Sequence, residues 1–98
     1  MDINEMAATL WRQLPKIAER EDYVVISRVD FLVGSNYSID GQALTQGLEP
    51  LFHGSCFDGA VVNVTVLAPG DEYIPPNQDQ ATTSNGWELF VSCLEGTK

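Results

Sequence analysis

Apolar residues at Ile3, Met6, Ala7, Leu10, Leu14 and Ile17 recur at steps of three and four, while Asn4, Glu5, Thr9, Arg12, Gln13 and Lys16 fill the intervening positions. That spacing lines one face of an α-helix and predicts an amphipathic helix over residues 1–20. Asp2, three positions before Glu5, reads as its N-cap with a capping-box partner. Pro15 removes one backbone donor inside the pattern and predicts a kink.

After the charged run Glu19-Arg20-Glu21-Asp22 the period changes to two. Val25, Val29, Phe31 and Val33 fall on one side of a strand over residues 23–33, which stops at the turn cluster Gly34-Ser35-Asn36. Ile39, Ala43, Leu44, Leu48, Leu51 and Phe52 return to helical spacing over residues 38–52, with Pro50 late in the helix and Gly54 ending it. A second strand covers residues 60–67, with Ala60, Val62, Val64 and Val66 on one face and Val61, Asn63 and Thr65 on the other. Residues 68–86 hold three Pro, the acids Asp71, Glu72 and Asp79, and many Asn, Gln, Thr and Ser, so they predict a long exposed loop. Trp87, Leu89, Val91 and Cys93 alternate with Glu88, Phe90, Ser92 and Leu94 in a third strand, a phase that sends Trp87 to the core and leaves residues 95–98 as a frayed tail.

Helix, strand, helix, strand, strand is an α+β arrangement in which two helices cover one face of a three-stranded sheet. The 26 positions between Val33 and Ala60 suffice for a helical crossover, so the first two strands are expected to run parallel. A chain of 98 residues supports one core, and residues 1–98 are read as a single domain.

Charge narrows the partners. Five Lys and Arg against fourteen Asp and Glu give a net charge of -9, which repels nucleic acid and anionic lipid surfaces and excludes both as partners. No apolar run approaches the roughly 20 residues of a membrane span, and no basic-then-apolar leader opens the chain, so a cytoplasmic location is expected. The same charge on so small a body opposes self-contact and predicts a monomer or weak dimer.

Candidate chemistry is sparse. His53, Cys56 and Cys93 supply three strong ligands where closed zinc sites use four, and the cysteines are not closely paired. A Cys-His nucleophile lacks an orienting third group, and both cysteines sit in apolar patterns that predict buried, inert thiols. Glycine-rich phosphate loops are absent, and Asp71, Glu72 and Asp79 do not match the twelve-residue calcium loop. Without a convergent set of titratable groups, the reading is not an enzyme. Asp71, Glu72 and Tyr73 remain as an interaction surface on the acidic loop, with an exposed sheet edge as a further docking element. Trp11, at the border of the helical stripe, is either a core residue or an exposed anchor.

Several short motifs, in order, resemble those of the HypA-type nickel-incorporation proteins of hydrogenase maturation. Met1-Asp2-Ile3-Asn4-Glu5-Met6-Ala7 is similar to their Met-His-Glu start, and Val29-Asp30-Phe31-Leu32-Val33-Gly34 to the end of their first strand. Ala43-Leu44 and Leu48-Glu49 resemble positions on their second helix, Gly54-Ser55-Cys56-Phe57-Asp58-Gly59-Ala60 their following turn, and Gly86-Trp87-Glu88-Leu89-Phe90-Val91 their last strand. The resemblance implies an accessory role in nickel insertion, with a maturation factor or a hydrogenase subunit as partner. It places Met1 and Asp2 at the nickel-site positions, where Asp2 substitutes a hard carboxylate for the family's histidine, and this implies weak or no nickel binding. Residues 68–85 occupy the place of the zinc-binding lobe without a cysteine, so no zinc is expected. The alternative reading is a metal-free protein-interaction or regulatory module on the same scaffold.

Overall fold

A computed structural model describes residues 1–76 and 78–98. Helix α1 (Ile3–Arg20) begins where Asp2 Oδ1 accepts the Glu5 N–H at 2.8 Å, satisfying one of the donors left free in a first turn. It buries Met6, Ala7, Leu10, Leu14 and Ala18 and runs through Pro15, which leaves the Trp11 carbonyl without its usual donor. Asp22, at φ +58°, turns the chain out of the helix, and the Tyr23 N–H reaches back to the Ala18 carbonyl at 3.0 Å.

The sheet has the order β2-β1-β5, with β1 (Val25–Gly34) in the centre, β2 (Val61–Leu67) parallel to it and β5 (Leu89–Thr97) antiparallel. The parallel pair follows from the crossover, made by a 3-10 turn at Ser35–Tyr37 and helix α2 (Gly41–Phe52), which Asp40 caps on the Gln42 N–H. Both helices cover one face. Val29, Phe31 and Val33 are fully buried beneath them, and their register partners Val62 and Val64 on β2 and Leu94, Val91 and Leu89 on β5 join the same core. Trp11 packs there too, its ring 5.5 Å from both Phe52 and Phe57. Burying each such aliphatic or aromatic side chain contributes about 2 kcal/mol before entropy is counted.

Two register shifts correct the plain alternation read from the sequence. Between Asp30 and Phe31 the β5 partner jumps from Cys93 to Val91, so Ser92 is an extra residue. Cys93 therefore leaves the face it was expected to share with Leu89 and Val91 and pairs with Asp30 on the side away from the helices, while Leu94 takes the inward place. A second shift between Ile26 and Arg28 buries Ile26 and leaves Val25, expected inside, 52% exposed.

The stretch expected to be an unstructured loop carries a short ladder, β3 (Glu72–Tyr73) with β4 (Thr82–Thr83). Asn77, within it, lies outside the described residues. Trp87 is 56% exposed, contrary to the core position expected from its phase, because β5 starts only at Leu89 and Gly86 at φ +85° bends the chain before it. The strand also continues to Thr97, where a frayed tail was expected, since Val24 donates to the Thr97 carbonyl at 2.7 Å. Among the described residues no helix is long and apolar enough to cross a membrane.

Candidate functional site

The sequence-derived candidates are held apart. Met1 is 62% exposed, and Asp2 is occupied as the cap of α1 through its side chain and through its carbonyl, which accepts the Met6 N–H at 3.1 Å. A capping carboxylate beside a free amine offers no imidazole nitrogen, so these two residues do not fit nickel in the family's manner.

Asp71, Glu72 and Tyr73 stand at the root of the β3–β4 hairpin, where their contacts are internal. Asp71 Oδ2 accepts the Ala68 N–H at 2.9 Å, its carbonyl accepts the Ser84 N–H at 2.7 Å, and the Tyr73 ring lies 6.0 Å from that of Phe90. Beneath them Glu88 is buried and receives hydrogen bonds from the Ser84 hydroxyl and the Asn85 N–H. Burial alone raises the Glu88 pKa; the hydrogen bonds from Ser84 and the surrounding backbone outweigh it and hold the carboxyl below its ordinary value. Tyr73 is shifted upward, by burial first and by the Glu88 charge second.

His53, Cys56 and Cys93 form no common site. His53 is exposed, with Nδ1 3.9 Å from Asp58 Oδ2; Cys56 is exposed, where an inert buried thiol was expected; and Cys93 is half-buried on the opposite face of the sheet. Both thiols are free. Among the described residues no three His, Cys, Asp or Glu side chains gather closely enough to hold a metal ion.

The sheet face away from the helices carries a network that the sequence did not reveal. Arg28 Nη2 stands 3.2 Å from Asp30 Oδ2 and 3.1 Å from Glu95 Oε1, and donates to Cys93 Sγ at 3.7 Å, while Asn63 Nδ2 donates to Asp30 Oδ1 at 2.9 Å. Cys93 first, then Asp30 and Glu95, hold the guanidinium more firmly in its charged form. These ties run across β2, β1 and β5 and are cross-strand pairing. They leave the two carboxylates already partnered.

The two edges of the sheet differ, and here the structure offers a site. The free edge of β5 is bridged by α1 at its start: Gln13 Nε2 donates to the Leu89 carbonyl at 3.2 Å, and Gln13 Oε1 accepts the Val91 N–H at 3.3 Å. The free edge of β2 meets no strand, and among the described residues no loop or side chain bonds its outer backbone groups. β2 reads Val-Val-Asn-Val-Thr-Val-Leu, seven residues without charge or proline, with Val61 57% and Val66 45% exposed. Natural sheet edges are ordinarily blunted by Lys, Pro or a bulge, and this one has none of these.

On the helix side of that edge lies a groove of about 530 Å³. Phe52, Ala60 and Val62 supply apolar surface, and Glu49 and Asp58 supply carboxylates, with Thr45 and His53 completing the wall. The turn holding Asp58 is fixed by Gly59 at φ +81° and by the Gly54 N–H donating to Asp58 Oδ2 at 3.2 Å. The signal for this site was present in the sequence as an uncharged β-branched run; which edge stayed open depended on Gln13, 76 residues from its partner carbonyl.

No family model matches the chain, and no curated protein matches it either.

Proposed function

We propose that the protein is a non-enzymatic interaction module that captures an extended segment of a partner protein as an added strand on β2. The observation that carries this reading is the contrast between the two sheet edges, one bridged by Gln13 at Leu89 and Val91 and the other open beside a groove. An added strand satisfies the outer backbone groups of β2, while its alternate side chains enter the groove. The test is amide hydrogen exchange of the β2 residues with and without a neutral peptide alternating Thr and Val. Slowed exchange confined to residues 61–67 supports the reading; unaltered exchange there at saturating peptide removes it.

A second reading rests on the order of elements, which places a small hairpin between β2 and β5 where the HypA-type proteins carry a zinc lobe. Under it the protein is an accessory of hydrogenase maturation in the cytoplasm, and the captured segment belongs to a maturation factor or a hydrogenase subunit. Nickel would then be cargo handled with the partner's ligands, because Met1 and Asp2 are poorly suited to hold it alone. A nickel titration followed at the amides of residues 1–4 tests this: N-terminal shifts at micromolar metal favour a direct nickel role, and no shift at millimolar metal leaves only the docking function.

A further inference from the structure

Every Lys and Arg of the chain lies outside residues 29–97, which hold nine Asp and Glu and, as the only other titratable nitrogen, His53. Helix α2, the 53–60 turn and β2 all belong to this stretch, so the groove beside the open edge is bordered by Glu49 and Asp58 without a Lys or Arg from the same elements. Glu49 has no ion-pair partner among the described residues. Among the described residues Asp58 has only the exposed His53 at 3.9 Å and one backbone N–H.

We infer that the segment captured on β2 is basic, an extended stretch that carries apolar residues and Lys or Arg together on the one face that meets the groove. This rests on the docking reading above and adds the charge of the partner. The segment's apolar side chains sit on Phe52, Ala60 and Val62, and its cations reach Glu49 and Asp58 at the groove rim. A second copy of this chain is a poor occupant, because it brings another net charge of -9 and an edge strand with no cation to offer. Cationic segments are also drawn to the acidic surface from a distance, which raises their encounter rate.

Three fluorescent octapeptides with Thr at every second position and, on the other face, Val alternating with Lys, Thr or Glu separate the two claims, joined by a Lys peptide N-methylated at every residue so that neither backbone edge can donate to β2. The Lys peptide is expected to bind about tenfold tighter than the Glu peptide in dilute buffer, with the ratio shrinking at about 0.5 M salt. It should slow exchange at residues 61–67, and the N-methylated peptide should not. Glu49→Lys, on an exposed helix position, should erase the preference for the Lys peptide without altering the circular dichroism spectrum. Equal protection of β2 by all three peptides overturns the basic partner and leaves strand capture standing. Protection by none overturns both, and equal binding of the N-methylated peptide shows charge attraction without strand addition and overturns both as well. A concentration-dependent dimer that protects the same amides would name a second copy as the occupant and overturn the basic partner.

Discussion

Gln13 stands beside Val91 as a neighbouring strand would, its Oε1 accepting the Val91 N–H at 3.3 Å while its Nε2 donates to the Leu89 carbonyl. A side-chain amide carries one acceptor and donors in a fixed plane, so a single residue can imitate one step of a β-ladder. Gln13→Leu preserves helix propensity and bulk but leaves both β5 groups without a protein partner. The expected loss is about 1–2 kcal/mol in urea unfolding, with faster hydrogen exchange at Val91. Unchanged exchange at that amide would show that Gln13 does not bridge the edge.

Glu88 gives the protein a defined response to acid. Its carboxyl pKa in the folded protein lies below the ordinary value of about 4.5. A depressed carboxyl binds protons more readily when unfolded, so its stabilisation is complete above the unfolded pKa and fades as pH falls through the folded one. Stability measured by urea midpoint should therefore decline from pH 5 downward. Glu88→Gln should start lower at neutral pH and show a flatter acid slope; identical slopes in the two proteins would remove Glu88 as the cause.

Gly34 is required for space. A Cβ built there would run into the backbone of Gly86 and Trp87, held close because the Gly34 N–H donates to the Glu88 carbonyl at 2.7 Å. Gly54 is the opposite case, with open space around a Cβ but φ at +76°. Gly34→Ala should cost about 3 kcal/mol because rigid backbone cannot yield, whereas Gly54→Ala should cost about 1 kcal/mol of left-handed strain. Equal thermal shifts for the two variants would contradict this.

Much of this architecture is written in local periodicity. The stripe from Met6 to Leu14, the Asp2 cap and the alternation of Val62 and Val64 each act within a few residues, and each lies where the sequence predicts it. The parallel pairing of β1 and β2 also follows, from the length of the crossover. What local pattern could not show are the extra residues Ser27 and Ser92, which reverse the faces of Val25 and Cys93. A bulge is a property of two paired strands, and its register is invisible in one. The candidate site shares this difficulty: an uncharged run marks β2 as a strand, but its open edge is set by sheet order and by the distant Gln13. The acidic Asp71 and Glu72, conspicuous in the sequence, prove to border the hairpin root, with Asp71 bonded within it.

Trp87 supplies the sharpest contrast between phase and environment. It alternates with Leu89 and Val91, yet its ring is more than half exposed and meets Tyr37 edge-on at 5.2 Å, while the Tyr37 hydroxyl donates to the Trp87 carbonyl at 2.9 Å. The backbone bond survives any substitution of the side chain, so Trp87→Ala loses one aromatic pair and modest area, about 1 kcal/mol. Phe31→Ala, at a fully buried position of the central strand, should cost about 4 kcal/mol through lost burial and the cavity left behind. The indole of Trp87, exposed to solvent, should also be readily quenched by iodide, and that of Trp11, packed between Phe52 and Phe57, should not. A Trp87→Ala loss as large as that of Phe31→Ala, or a quenching order reversed between the two indoles, would place Trp87 in the core after all.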